Sequence, residues 1–323
     1  MTGSPPALPL ARTPTPLQPM RRLSEAWGCE VWVKRDDLTG FGLSGNKVRK
    51  LEVLAAEAQG AGATTLVTCG GLQSNHCRAT ATVARRLGLD VHLLLRGEEP
   101  EIADANVLLD VLLGARLSFC DAETYRHARN DRMDEIAARI AEEGGRAYVI
   151  PEGGSNGLGA VAYARAAAEV AEQVSEPFDS VWVAVGSGGT LAGLALGPDI
   201  GAVRGVAVCD DRRTFVQRVR EIAADAAKWG LGPLPPVGQR WDVLEDYRGP
   251  AYAVADPPVW DAIVEVARTE GLFLDPVYTG KALRALKAEV GAGRAGGRVL
   301  FWHTGGGFGL FGRGGEVRAH LRR

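Results

Sequence analysis

Short apolar segments alternate with longer amphipathic segments along most of this sequence. Continuous apolar runs predict buried strands at residues 65–68, 91–95, 147–150, 180–185, 203–208 and 299–302. Between these runs, apolar residues with helical spacing predict helices over residues 50–58, 77–87, 125–143, 158–174, 215–228 and 259–270. Alternating strands and helices of this length indicate an α/β fold with mostly parallel sheets flanked by helices.

Length and composition narrow the class of protein. A chain of 323 residues is longer than most single domains, which predicts two lobes. Hydrophobic residues make up 46% and charged residues 24%, as in ordinary globular proteins, and the net charge of -2 comes without a basic stripe. We therefore expect no nucleic-acid partner.

The sequence also argues against secretion, membrane insertion, metal binding and disulfide bonds. The Pro-rich start lacks the apolar segment of a signal peptide, and no apolar run is long enough to span a membrane. We therefore expect a cytoplasmic protein with no membrane contact. The five cysteines are scattered without metal-ligand spacing, so we expect no metal and no disulfide.

Lys47 is the first candidate for chemistry. It follows Gly45 and Asn46 at a predicted helix start, with Arg49 and Lys50 close by. A lysine becomes nucleophilic where burial or neighbouring cations favour its neutral form. A solvated lysine on a helix face is the alternative that this motif alone leaves open.

Two Gly-rich segments each follow a predicted strand and precede a predicted helix. Residues 186–190 read GSGGT, and backbone amides in such a turn bind phosphate, so a phosphate cradle is predicted there. The segment matches neither the Walker loop nor the dinucleotide fingerprint, and a tight turn is the alternative. Residues 70–76 read GGLQSNH, where Ser74 or Asn75 can bind an anion or cap the helix.

Three more segments carry candidate side chains. Tyr278 lies in DPVYTGK, Tyr252 in GPAY, and Thr304 follows a predicted strand in WHTGGG. A tyrosine serves as an acid, a base or a stacking group, although a single tyrosine is more often a core residue. His76 and His303 have no evident third ligand, which argues against a metal pair.

These motifs together resemble the D-cysteine desulfhydrase and 1-aminocyclopropane-1-carboxylate (ACC) deaminase family. The matching strings are SGNKVRKLE at 44–52, GGLQSNHCR at 70–78, PEGGSNGLG at 151–159, DPVYTGKA at 275–282 and HTGG at 303–306. The resemblance implies the tryptophan-synthase-β-like fold (fold type II) of enzymes that depend on pyridoxal 5'-phosphate (PLP). It implies a large PLP-binding lobe of residues 1–47 and 157–323, a small lobe of residues 48–156 inserted in it, and a homodimer.

The resemblance also implies how the cofactor is held. Lys47 is similar to the lysine that forms a Schiff base with PLP, and Asn75 is expected to bind the cofactor's 3-hydroxyl. Thr304 is expected to pair with the pyridine nitrogen. The phosphate is expected to lie in the cradle of Gly186, Ser187, Gly188, Gly189 and Thr190.

For the substrate, the resemblance implies a small amino acid. Ser74 is expected to bind its carboxylate and to take part in catalysis, with Asn75 and His76 also in contact with it. Tyr252 and Tyr278 are expected to frame the substrate and to move protons.

The implied reaction is α,β-elimination. The ACC deaminase branch has Glu where this chain has Thr279 and Gln where it has His76, so the desulfhydrase branch is favoured, with D-cysteine giving pyruvate, ammonia and hydrogen sulfide. Ala251 and Ala253 beside Tyr252, and Gly307-Phe308, depart from the desulfhydrase pattern. ACC ring opening, L-cysteate sulfo-lyase activity and a specialised amino-acid deaminase or lyase therefore stay open. Outside this class, the alternatives are a non-catalytic amino-acid-binding protein and a nucleotide-dependent enzyme.

Overall fold

The computed structural model describes residues 4–323, and the strands within them form two sheets. The strands are β1 Leu17–Pro19, β2 Glu30–Arg35, β3 Thr65–Gly71, β4 Asp90–Arg96, β5 Arg116–Cys120, β6 Ala147–Val149, β7 Ser180–Val185, β8 Ala202–Ala207, β9 Trp241–Leu244 and β10 Arg298–His303. Sequence patterns placed six of these strands to within three residues at either end.

Helices cover the sheets and connect their strands. They are α1 Arg21–Trp27, α2 Asn46–Gly60, α3 Asn75–Arg86, α4 Ala105–Leu112, α5 Ala122–Glu142, α6 Gly157–Gln173, α7 Gly189–Leu196, α8 Arg212–Ala226, α9 Pro257–Glu270, α10 Thr279–Gly291, α11 Gly307–Phe311 and α12 Gly314–Leu321. No helix in residues 4–323 has both the length and the apolar character needed to cross a membrane.

The strand order confirms the predicted parallel α/β architecture. One sheet has the order β1-β2-β10-β7-β8-β9 and the other β5-β4-β3-β6, and every neighbouring pair is parallel except β1 with β2. The central strand β7, with the sequence SVWVAV, is buried along its whole length because helices pack on both faces.

The strands that the sequence pattern missed lie mostly at sheet edges. β1 and β9 are the outer strands of the larger sheet, and β5 is an outer strand of the smaller one. Edge strands are short or partly exposed, and β5 has no fully buried residue, so a continuous apolar run is absent. The smaller sheet lies wholly within residues 65–149, and the lobe boundary at 48–156 stays a prediction.

A buried polar cluster joins elements from distant parts of the chain. The Asp36 carboxylate, at the end of β2, accepts hydrogen bonds from Tyr163 Oη at 2.7 Å and from Trp302 Nε1 at 2.8 Å. Its other oxygen accepts from Arg49 of α2 at 2.9 Å, and Arg49 also binds Glu169 of α6 at 2.9 Å. Although burial alone would raise it, the pKa of Asp36 is lowered by the Arg49 guanidinium.

Substitution of Arg49 by Met tests how much this cluster contributes to the free energy of unfolding. Because it leaves the fully buried Asp36 carboxylate without its ion-pair partner, whereas Glu169 keeps Lys34, we expect Arg49→Met to lower the free energy of unfolding by about 3–5 kcal/mol. The same change at Arg85, whose ion pair with Asp90 is exposed, should cost less than about 1 kcal/mol. Denaturant unfolding of both variants measures the difference, and equal losses would contradict it.

Candidate active site

A cavity of about 650 Å³ has walls from both sheets. Its lining comes largely from residues at or just after the carboxyl ends of β3, β4, β7, β8 and β10, where ligands bind in parallel α/β folds. Eleven of the predicted site residues line it: Lys47, Ser74, Asn75, His76, Gly186, Ser187, Gly188, Thr190, Tyr252, Tyr278 and Thr304. Gly189 is the one that the cavity lining does not include.

Lys47 enters the cavity from the first turn of α2. The Asn46 amide before it donates to the Thr304 carbonyl oxygen at 3.0 Å, which brings the start of α2 against the end of β10. The Lys47 Nζ donates to the Gly153 carbonyl oxygen at 3.3 Å. Burial lowers the pKa of Lys47 to about 8, with Glu152 acting in the opposite direction. About half of the amine is therefore neutral at pH 8, a far larger fraction than for an ordinary lysine, and the neutral form is the nucleophile.

The backbone beside Lys47 leaves no room for a side chain. Gly153 has a φ of +67°, and a Cβ there would lie 2.5 Å from Ser187 Oγ and 3.0 Å from Lys47 Nζ. Its carbonyl oxygen also accepts from Lys50 Nζ at 3.2 Å. Two lysine amines therefore share one acceptor at the cavity floor, and burial with the Lys47 charge lowers the pKa of Lys50 well below its usual value.

Residues 186–190 form the predicted turn from β7 into α7. Gly188 has a φ of +91°, which allows the chain to reverse and expose the amides at the start of the helix. The Gly189 amide, at the start of α7, donates to Ser155 Oγ at 3.3 Å. Ser155 in turn bonds to Ser187 Oγ at 2.8 Å, and Lys50 donates to Ser155 at 3.1 Å. The buried Lys50 amine is thus one hydroxyl away from the cradle, and an anion bound there would favour its protonated form.

Ser74, Asn75 and His76 lie at the start of α3, and each has a hydrogen-bond partner within the described residues. Ser74 caps α3 by accepting from the Cys77 amide at 3.2 Å, and Asn75 Oδ1 accepts from Asn106 of α4 at 3.1 Å. His76 pairs with Thr68 Oγ1 at 3.0 Å through Nε2, while its buried Nδ1 has no hydrogen-bond partner among residues 4–323. Burial lowers the pKa of His76 well below its usual value, so the ring is neutral.

The two predicted tyrosines meet inside the cavity. Their hydroxyls are 2.7 Å apart, and their rings cross at 72°. Burial raises the pKa of Tyr252 to about 12 and raises that of Tyr278 well above its usual value. Both hydroxyls are therefore protonated at neutral pH and able to donate a proton.

These residues fit the cofactor that the motifs imply. A phosphate group binds to amides and hydroxyls, which residues 186–190 supply, and its negative charge would favour protonation of the nearby Lys50 amine. The Thr304 hydroxyl has no hydrogen bond to another side chain in the described part of the molecule, although the residue is 8% exposed. An aromatic ring nitrogen is a suitable partner for it.

Sequence reasoning missed other residues of the cavity wall, namely Asn46, Arg96, Tyr125 and Glu152. Asn46 Nδ2 donates to Thr190 Oγ1 at 3.1 Å, which joins α2 to α7. Tyr125 donates to Glu152 Oε1 at 2.6 Å. Arg96 and Glu152 each follow a predicted strand, so polar residues at strand ends were the signal that would have found them.

Thr279, which separates the two branches in the family resemblance, is buried beside the cavity wall. Its hydroxyl donates to Asp275 Oδ2 at 2.7 Å, and the Asp275 amide donates back to it at 2.9 Å. Asp275 also accepts from the Tyr278 amide at 2.7 Å. Thr279 therefore fixes the turn that presents Tyr278 to the cavity.

Lys281 holds the loop that carries Tyr252. This buried side chain of α10 donates to the carbonyl oxygens of Val208 at 3.1 Å, Arg248 at 2.5 Å and Ala251 at 2.9 Å. The loop over residues 245–256 has no helix or strand of its own. The position of Tyr252 therefore depends on a side chain from α10.

Replacing Lys281 tests this dependence. We expect Lys281→Met to lower the free energy of unfolding by about 1–3 kcal/mol, because three carbonyl oxygens lose their buried donor. Hydrogen exchange should accelerate in the loop before Tyr252 while α10 stays protected. Lys287→Met, on the same helix but exposed in an ion pair with Glu265, is the control. Unchanged exchange in the loop would show that Lys281 does not hold it.

Comparisons with known proteins agree with this geometry. The model of the family described as "Pyridoxal-phosphate dependent enzyme" matches residues 8–305. A putative ACC deaminase of Thermotoga maritima is 46% identical, covering 94% of this chain and 96% of its own. A D-cysteine desulfhydrase of Salmonella choleraesuis is 42% identical, with 95% of each chain covered.

A bifunctional relative and a solved structure extend this similarity. The mitochondrial D-cysteine desulfhydrase/ACC deaminase of Arabidopsis thaliana is 39% identical, covering 94% of this chain and 78% of its own. The crystal structure of an ACC deaminase homologue superposes with a TM-score of 0.89 at 37% identity, covering 98% of this chain and 97% of its own.

Proposed function

This chain belongs to the family of pyridoxal-phosphate dependent enzymes, and from that premise we propose that it eliminates the β-substituent of a small amino acid, with D-cysteine as the best substrate. The family, fold class and cofactor predicted from the motifs are confirmed. The substrate is the proposed part, because relatives of similar identity carry the names of two activities. His76 and Thr279 support the desulfhydrase branch over ACC ring opening.

One observation carries the proposal: the Lys47 amine, the 186–190 cradle and the tyrosine pair all line a single cavity. A cofactor phosphate would bind at Gly186–Thr190, where the Gly189 amide also donates to Ser155 Oγ. Asn75 would bind its 3-hydroxyl and Thr304 its pyridine nitrogen. When bound, PLP supplies the electron sink that stabilises negative charge at the substrate's α-carbon.

The chain's own residues would supply position and protons. Ser74, together with the amides that open α3, would hold the substrate carboxylate, since a helix start favours an anion. The Lys47 amine, with a pKa of about 8, would take the α-proton. His76 stays neutral, so it would hydrogen-bond to the substrate without adding charge.

Tyr252 and Tyr278 would serve the leaving group. Their raised pKa values keep both hydroxyls protonated, and the 2.7 Å hydrogen bond between them allows one to replace the other's proton. A proton delivered to the departing sulfur converts it to a neutral leaving group. Overall, D-cysteine and water would give pyruvate, ammonia and hydrogen sulfide.

We also propose an arrangement of lobes and subunits. Residues 48–156 would form the small lobe and residues 1–47 with 157–323 the large lobe, so that the cavity lies between them. The smaller sheet and α3 fall inside the first range, and β7, β10 and α7 inside the second. We propose that the enzyme acts as a cytoplasmic homodimer.

Lys47→Ala tests the catalytic assignment. We expect the purified wild-type protein to absorb visible light, to lose that band on reduction by borohydride, and to release pyruvate and sulfide from D-cysteine. The variant should show no turnover and no cofactor fixed by borohydride, because Lys47 is the only lysine among residues 4–323 that lines the cavity. Lys228→Ala, in an exposed ion pair, is the control and should behave as wild type.

Different results would correct different parts of the proposal. A yellow wild-type protein that is inert to D-cysteine would keep the cofactor and refute the substrate. ACC or L-cysteate would then be tried in the same cuvette. Normal turnover by Lys47→Ala would refute the role of Lys47.

The lowered pKa of Lys47 predicts how PLP uptake depends on pH. Only the neutral amine bonds to the cofactor. The rate at which the PLP-free protein takes up PLP should therefore rise with pH and level off above about pH 8. An ordinary lysine would give a rate that still rises near pH 10. Since Glu152 raises the pKa of Lys47, Glu152→Gln should move the midpoint to lower pH. A midpoint that stays in place would show that Glu152 does not act on Lys47.

A further inference from the structure

Thr68 carries a buried hydroxyl next to the cavity wall, and the proposed mechanism does not use it. It lies in β3, where every residue but the last is buried, and its own exposed fraction is 0%. Its Oγ1 donates to the Ile150 carbonyl oxygen at 2.8 Å and lies 3.0 Å from His76 Nε2. Thr68 therefore joins the residue that follows β6 to a side chain that lines the cavity.

These two contacts decide which nitrogen of the His76 ring carries the proton. A hydroxyl has one hydrogen and a carbonyl oxygen can only accept, so the Thr68 hydrogen points to Ile150. His76 Nε2 must then donate to Thr68 Oγ1. Because the ring is neutral, Nδ1 has no hydrogen of its own. Thr68 thus makes Nδ1 of His76 an acceptor that cannot donate.

This acceptor lies close to the lysine amines at the cavity floor. Nδ1 is buried and has no hydrogen-bond partner in the described part of the chain. The ring packs on Gly154, where a Cβ would lie 3.5 Å from His76 Cε1, the carbon bonded to Nδ1. The adjacent Gly153 carbonyl oxygen accepts from Lys47 Nζ at 3.3 Å, the one hydrogen bond that this amine donates within residues 4–323. Lys47 therefore keeps an N–H group for a second acceptor, and its charge lowers the pKa of His76.

We propose that Thr68 is a positioning residue that fixes His76 as the acceptor for an amino nitrogen at the reacting centre. The donor is the Lys47 amine or the amino group of the substrate that takes its place. This inference rests on the proposed function and gives a direction to the hydrogen bond that His76 makes there. A carboxylate cannot pair with Nδ1, because both groups offer only lone pairs.

The two ends of an amino acid would then have opposite partners at the start of α3. Ser74 and the amides that open this helix would hold the carboxylate, and His76, two residues later, would hold the amino group. A substrate that entered with its ends exchanged would bring its carboxylate against the lone pair of Nδ1. His76 would therefore select the orientation that brings the amino group to Lys47.

Nitrogen NMR of the PLP-loaded protein, isotope-labelled in its histidines, tests the tautomer and the donor. The His76 signals are those that His76→Gln removes. We expect Nε2 to carry the proton and Nδ1 to carry none at neutral pH. Alanine, as the D or the L enantiomer, should shift the Nδ1 signal, whereas propanoate, which has no amino group, should not. A protonated Nδ1, or a signal that alanine moves no more than propanoate does, would overturn the proposal.

Neither ligand has a β-substituent to eliminate, so this titration separates the proposal from the proposed function. A shift by alanine in a protein that does not turn over D-cysteine would support the role of His76 and refute only the elimination. The titration also does not require any variant of Thr68 to fold.

Three threonine variants test the part that Thr68 plays. Thr68→Val removes the hydroxyl at nearly constant shape, so part of the His76 population should carry its proton on Nδ1, and kcat/KM for D-cysteine should fall roughly five- to tenfold. Thr68→Ser keeps the hydroxyl and should restore both. Thr80→Val, the same change at a buried hydroxyl without a partner among the described residues, is the control. An unchanged tautomer in Thr68→Val, or an equal loss of kcat/KM in Thr68→Ser or Thr80→Val, would show that Thr68 does not position His76.

Discussion

Burial of the Asp36 carboxylate is the constraint on which the rest of the molecule depends. A charge without contact to water must receive several donors, and here they come from α2, α6 and β10, far apart in sequence. The donor from α2 is Arg49, two residues after Lys47. The carboxylate therefore fixes the helix that presents the reactive amine against the strand that presents Thr304.

The site depends on the same principle at a smaller scale. Each reactive side chain is positioned by a polar group from another element, as Lys281 positions the Tyr252 loop and Asp275 positions Tyr278. Burial then sets the protonation states, because it favours a neutral Lys47, a neutral His76 and protonated tyrosines. Hydrogen bonds from other elements thus fix the positions of these side chains, and burial sets their pKa values.

The sequence was sufficient for most of the inner strands, for six of the twelve helices in residues 4–323 and for the residues of the main motifs. Strand β7 and the cradle after it were predicted because an apolar run and a Gly-rich turn are local signals. Edge strand β5 and the contact of Arg96 with the Tyr252 ring were not, since both depend on which elements become neighbours. The hydrogen bond from the Gly189 amide to Ser155 of a remote segment was not predicted either, since no local pattern indicates it.

The pair of lysine amines on the Gly153 carbonyl has a thermodynamic consequence. Protonation of both amines would place two like charges on one acceptor, and burial withholds the water that would screen them, so the pKa of each amine is lowered. An anion that enters the cradle offsets this repulsion only when the chain is folded, since the unfolded chain has no cradle. The free energy of unfolding then depends on ligand concentration. The unfolding temperature of this protein should rise with the logarithm of the concentration of free phosphate-bearing ligand.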